Sequence, residues 1–228
     1  MNPLSKQSND PKETLASVDE LLTREYGAPL RNPRDPLDEL IMTILSQNTN
    51  GRNRERAFAA MTKAFPAWNT VMNAPREDLE NALRPGGLAK IKSGRIQKIL
   101  RSLNARGELN LDYLSSMPDD EAEAELLAFD GVGDKTARCV LLFSLEREVF
   151  PIDTHIFRVL TRAGVISQGM NVNKAHRFVP EIIPKGRCLS LHLNLIRHGR
   201  EICHPRRPEC LRCVIEMECI FSDKYFAD

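Results

Sequence analysis

Nowhere in the 228 residues does an apolar run approach the ~18 positions of a membrane-spanning helix, which excludes that route to a membrane role. The first ten residues, Met1 to Asp10, lack the apolar core of a secretory signal, so the chain is expected to stay in the reducing cytoplasm where it is made. Apolar–polar alternation at a period of two is nearly absent, and neither an internal repeat nor a low-complexity tract is present. These absences exclude sheet-built, solenoid and disordered classes. Charge of one sign is also lacking: the formal net charge is +1, which argues neither for nor against nucleic acid, because a phosphate-binding face can be balanced by acids elsewhere.

What is present is helical periodicity. Apolar residues recur at three and four positions, as in Leu37, Leu40, Ile41, Ile44 and Leu45, and again in Ile91, Ile96, Ile99, Leu100 and Leu103. Boundaries are signalled by Asp35-Pro36, Ala74-Pro75, Arg84-Pro85-Gly86-Gly87, Met117-Pro118-Asp119-Asp120, Phe150-Pro151 and Ile183-Pro184-Lys185-Gly186. Roughly ten helices and an all-α fold follow, with the first ~12 residues loose. A seam is expected between Glu146 and Pro151, where clefts commonly form. From Asn81 to Gly107 there are seven basic residues (Arg84, Lys90, Lys92, Arg95, Lys98, Arg101, Arg106) and no acidic one, which predicts a strongly positive face.

Six cysteines in a reducing compartment read as ligands or buried thiols rather than disulfides. Cys139 and Cys188 stand alone and read as small buried apolar residues. Cys203, Cys210, Cys213 and Cys219 are spaced C-x6-C-x2-C-x5-C within 17 residues. Four thiolates can hold zinc or an iron–sulfur cluster, but zinc usually takes two short knuckles and only Cys210 and Cys213 form one. The wider cage suits a cubane. Such a cluster can serve only to stabilise a small lobe, with Arg206 and Arg207 on its loop facing phosphates or simply solvent.

Residues 119–129 and 134–145 read as two helices about the turn Gly131-Val132-Gly133, a helix-hairpin-helix. Two glycines permit positive φ and turn backbone N–H groups towards an anion, so this turn can hold a DNA phosphate without reading sequence. Lys135 falls in the first turn of the second helix, where the helix end is already positive. It reads either as a phosphate clamp or an exposed lysine paired with Asp134, or as a nucleophilic amine that attacks a sugar carbon and forms a Schiff base. Asp153 reads as a helix N-cap or a catalytic carboxylate, and His155 as a structural hydrogen-bonder or a site residue.

Four motifs in this order resemble the endonuclease III family of DNA glycosylases with lyase activity: Leu45-Ser46-Gln47-Asn48-Thr49-Asn50, Gly131-Val132-Gly133-Asp134-Lys135-Thr136-Ala137, Asp153-Thr154-His155-Ile156-Phe157-Arg158, and the cysteine pattern. The resemblance covers nearly the whole chain. It implies a two-lobed helix-hairpin-helix glycosylase fold: a six-helix barrel lobe over residues 31–146, with the hairpin at 119–145, and an iron–sulfur lobe over 147–228, joined by the N-terminal segment 1–30. It implies a [4Fe–4S] cluster on the four cysteines, Lys135 as nucleophile and Asp153 as essential carboxylate. Gly131, Gly133, Lys135, Thr136 and His155 would contact DNA, and Gln47 or Asn48 together with Leu88 would fill the gap left by a flipped nucleotide.

The function implied is a bifunctional glycosylase and abasic-site lyase of base excision repair. It would act as a monomer on oxidised pyrimidines or abasic sites in duplex DNA, at the nucleoid. Departures from the family pattern are Phe129-Asp130 where Leu-Pro is usual, and Asp134 where a basic residue is usual. Two carboxylates flanking a phosphate-binding turn are expected to weaken DNA binding and to oppose use of Lys135 as a nucleophile. The usual glutamine is absent at Asn48, with Gln47 adjacent, which bears on opposite-base preference. Rival readings are a monofunctional glycosylase of different base specificity, which Lys135 argues against, and a DNA-binding protein of the same fold with weak or lost catalysis. A metal-stabilised interaction module leaves Lys135 and Asp153 unexplained.

Overall fold

The computed structural model describes residues 10–226, and among them every regular element is helical. They divide into two compact units. One is the stretch from Pro33 to Arg147; the other joins the segment that ends at Asn32 to the one that begins at Glu148.

Five helices of the first unit are α2 (Pro36–Ser46), α3 (Gly51–Ala64), α4 (Trp68–Asn73), α5 (Arg76–Leu83) and α6 (Ala89–Ala105). After them come α7 (Asp119–Leu127) and α8 (Asp134–Phe143). Helix α2 starts where Asp35 accepts from the N–H groups of Leu37 and Asp38 and Pro36 supplies a preset φ. Leu37, Leu40, Ile41, Ile44 and Leu45 are then fully buried, and α2 packs on α3, α6 and α8 as the unit's centre. Truncating one such leucine to alanine removes about 3 kcal/mol of stability. Between α5 and α6 a 3₁₀ turn, Arg84–Gly86, delivers the chain to Leu88.

The second unit contains α1 (Pro11–Tyr26), α9 (Thr154–Arg162), α10 (Val172–Ile182) and α11 (Cys188–Glu201). Helix α11 packs on both α1 and α9. Asp19 of α1 is buried and takes two bonds from Arg187, just ahead of α11, at 2.6 and 3.0 Å. The expected loose start is not seen at residues 10–12: Asp10 accepts from the Lys12 N–H at 2.9 Å, and Pro11 opens the helix. Met1 to Asn9 lie outside the described residues.

Candidate nucleic-acid interface and cysteine centre

In the hairpin between α7 and α8, only one glycine uses its special freedom. Gly131 has φ +79°, whereas Gly133 sits at φ −112° as the N-cap of α8, in extended backbone open to any residue. Of the two glycines that permit positive φ, Gly131 alone uses it. A Cβ at 131 would meet Arg95 Nε at 2.3 Å; one at 133 would meet nothing within 4 Å. Gly133 is exposed, so the first N–H groups of α8 open onto solvent, as an anion site requires.

Gln47, at the C-terminal end of α2, is brought to this turn. Its amide nitrogen donates to the Gly131 carbonyl at 3.2 Å, and its oxygen accepts from Arg95 at 2.8 Å. Asn48, next along, is exposed with φ +53°. Leu88 has φ +50° and is 45% exposed, so it is not tucked into the core. Neighbouring Ile91 is 49% exposed and extends the apolar tip.

Lys135 is half-buried in the first turn of α8 and forms no hydrogen bond or ion pair among the described residues, with Asp134 or any other group. Thr136 behind it is buried. Asp130 is offset by Lys98, 2.9 Å away on α6, and that ammonium together with Arg95 holds the carboxyl below its ordinary range. Of the two unexpected carboxylates, one is thus already partnered.

The strongly positive face expected over residues 81–107 draws on fewer than its seven basic residues. Lys92 is 1% exposed, because it shares the apolar stripe of Ile96, Ile99 and Leu103 on α6. That stripe was visible in the sequence and ranked below charge. Arg95 and Lys98 are engaged with Gln47 and Asp130, and Arg106 pairs with Glu125. Of the seven basic residues, Arg84, Lys90 and Arg101 stay exposed and enter no ion pair among the described residues.

In the second unit Asp153 caps α9: one carboxylate oxygen accepts from the N–H groups of His155 and Ile156 at 2.8 and 2.9 Å. The cap reading is therefore realised, and the other oxygen has no partner among the described residues. His155 Nδ1 accepts from Arg158 at 3.1 Å. Arg158 also donates to the carbonyls of Gly199 and Cys203, at 2.6 and 2.9 Å. Helices α9 and α11 approach so closely here that a Cβ at Gly199 would stand 2.8 Å from His155 Cβ.

Cys203, Cys210, Cys213 and Cys219 line one cavity, with Arg162, Ile202 and Phe221 among its other walls. No three His, Cys, Asp or Glu side chains among the described residues converge as ligands of a single ion. Four cysteines around a common cavity are a donor set that a metal group could use. The sulfurs have donors: Arg162 to Cys203 at 3.2 Å, the Tyr225 N–H to Cys210 at 3.3 Å, and buried His198 facing Cys213 at 3.5 Å. Burial, with the neighbouring sulfurs, pushes the Cys213 thiol up to about 12 and raises Cys219 as well. Thiolates gathered here call for positive charge among them, which fits a metal cluster. Arg206 and Arg207 on the same loop are exposed. Cys139 and Cys188 are buried, as expected of small apolar side chains.

Residues 41–185 match the HhH-GPD superfamily base excision DNA repair protein profile. The chain belongs to this family. Endonuclease III of Escherichia coli is 31% identical over 196 residues, covering 85% of the chain and 87% of that relative. A protein of Arabidopsis thaliana, provisionally named a DNA glycosylase, is 42% identical over 165 residues, 72% of the chain; the match spans only 56% of that relative's length. Among solved structures, a non-covalent endonuclease III–DNA complex superposes with a TM-score of 0.78 at 25% identity, covering 92% of this chain and 95% of that one. The HhH-GPD chain thus shares the endonuclease III fold, and none of its described helices is long and apolar enough to cross a membrane.

Proposed function

We propose that the chain is a bifunctional DNA glycosylase and abasic-site lyase that removes oxidised pyrimidines from duplex DNA. The observation that carries this reading is Lys135: an uncommitted amine in the first turn of α8, immediately after an exposed phosphate-binding turn. Its amine is held by neither a carboxylate nor a carbonyl among the described residues, so it is not fixed as a structural cation.

In the proposed reaction the damaged nucleotide leaves the stack, with Leu88 and the Gln47–Asn48 segment occupying the gap. The Lys135 amine attacks C1′, the C1′–N bond breaks, and the base departs with that electron pair and a proton. The free oxygen of Asp153 stabilises positive charge on the sugar and assists proton transfer. Opening of the sugar ring gives a Schiff base. Loss of a C2′ proton then expels the 3′ phosphate by β-elimination, with the C3′–O bond broken. Backbone N–H groups at Gly133 and the start of α8, with Thr136 behind them and His155 on α9, complete the DNA contacts.

On this reading the unit bearing the hairpin is the barrel lobe, and the unit bearing the four cysteines is the cluster lobe. Cys203, Cys210, Cys213 and Cys219 would hold a [4Fe–4S] cluster. It would supply a rigid cross-link to a loop with little core of its own, and no step of the reaction uses it. The protein would work as a cytoplasmic monomer at the nucleoid.

Borohydride trapping tests the proposal, on duplexes carrying thymine glycol, an abasic site or undamaged thymine, with Lys135→Ala in parallel. A covalent adduct with thymine glycol, lost in Lys135→Ala while DNA binding is kept, is the expected result. An adduct with the abasic site alone leaves a lyase and removes the oxidised-pyrimidine assignment. Binding without any adduct overturns the lyase reading, and loss of base release as well would overturn the enzymatic one.

A further inference from the structure

We propose that Lys92 is a positioning residue that fixes, with one ammonium group, the two gap-filling loops of the hairpin-bearing unit. The inference rests on the proposed function and concerns a residue whose side chain cannot itself reach DNA, since Lys92 is 1% exposed.

Its Nζ donates to the Leu45 carbonyl at 2.7 Å and to the Gly86 carbonyl at 2.8 Å. The first acceptor lies in the last turn of α2, where helix carbonyls lack partners of their own. The second ends the 3₁₀ turn before α6. Beyond each acceptor the chain enters a conformation that non-glycine residues rarely hold: Asn48 at φ +53°, three residues after Leu45, and Leu88 at φ +50°, two after Gly86. Such backbone persists only where the surroundings over-determine it. Both strained residues are exposed, and both belong to the segments assigned to gap filling.

No carboxylate among the described residues pairs with Lys92, and burial pulls its pKa below the ordinary lysine value. A methionine would fill the same slot without the desolvation cost of a cation. What an apolar side chain cannot do is tie two carbonyls from separate loops to one point. Gly86 is held from the other side as well, because a Cβ there would come within 3.0 Å of Ala57 on α3. The turn is therefore clasped between α3 and Lys92, and Leu88 leaves it in a set direction.

The test uses a duplex with a tetrahydrofuran abasic analogue beside 2-aminopurine, whose fluorescence rises on unstacking. The full chain is compared with Lys92→Met, with the pair Asn48→Ala and Leu88→Ala, and with all three substitutions together. Lys92→Met is expected to lower unstacking about tenfold while affinity for undamaged duplex and the circular dichroism spectrum are kept. In the paired background it should add almost nothing, because the side chains it positions are already gone. Undiminished unstacking by Lys92→Met, or a second loss of similar size in the paired background, overturns the proposal. If Lys92→Met does not fold, Lys92→Leu, which also lacks donors and is shorter, carries the same comparison. Binding without unstacking by the unaltered protein would overturn the functional reading itself, and this inference with it.

Discussion

Arg95 lies across Gly131 so tightly that a single added methyl group would stand 2.3 Å from its Nε and 2.4 Å from its Cδ. The same guanidinium holds Gln47, whose amide returns to the Gly131 carbonyl, so three elements of the site close on one glycine. Gly131→Ala must both strain a φ of +79° and displace Arg95. It should cost about 1 to 3 kcal/mol in denaturant unfolding.

Gly133→Ala offers the contrast. With extended backbone and open space around it, the change should alter folding stability by less than about 0.5 kcal/mol. A methyl group on the exposed anion-binding turn should nevertheless weaken duplex binding. Fluorescence anisotropy read beside the melting curve separates the two effects.

Helices α9 and α11 touch through Gly199, where an added Cβ would stand 2.8 Å from His155 Cβ and so has no room. Gly199→Ala forces the helices apart and is expected to lose about 1 to 3 kcal/mol. Because Arg158 binds the Gly199 carbonyl, the shift should reach the Asp153 end of α9. Base release should therefore slow more than duplex binding does, in single-turnover assays.

Removing Asp19 leaves Arg187 without its two-pronged partner at a site where the carboxylate is buried. A loss of about 2 to 3 kcal/mol is expected for Asp19→Ala, against about 1 kcal/mol for Thr23→Val, which deletes one neutral acceptor of the same arginine. Thermal unfolding of the two variants checks the order.

Asp130→Asn should raise affinity for DNA, since it removes a negative charge from the hairpin and frees Lys98 for a phosphate. The salt dependence of binding should steepen by about one unit of slope. The sign with pH is set by the lowered pKa of Asp130: a group depressed below its ordinary 3.8 contributes above that value and loses its contribution only as pH falls through the lowered one. The gain from Asp130→Asn should therefore be constant between about pH 5 and 8. A titration of affinity across that range tests it.

Much of the architecture was legible because its signals are local. Periodic apolar residues, capping aspartates and a cysteine quartet each act within a few positions of chain, and so does the glycine turn. Lys92 was misread because charge was weighed above register; its place on the Ile96–Ile99–Leu103 stripe makes it a core residue. Which glycine takes positive φ was not legible, because composition cannot tell one that turns the chain, as Gly131 does, from one in extended backbone, as Gly133 is. The partnering of Asp130 by Lys98 joins positions 32 residues apart, and that of Gln47 by Gly131 spans 84; neither has a sequence signature.

The chain leaves the unit of α1 at Asn32 and re-enters it at Glu148, and Asp19 meets Arg187 at a separation of 168 positions. During synthesis the helix-hairpin-helix unit is therefore complete while α1 still has no partner, and α1 must wait until α11 clears the ribosome. Closing so long a loop is entropically slow, and domains fold as units in the order they emerge. Helix α1, made before α2 to α11, should be among the last of them to dock, so refolding monitored at Arg187 should lag behind refolding monitored at Trp68.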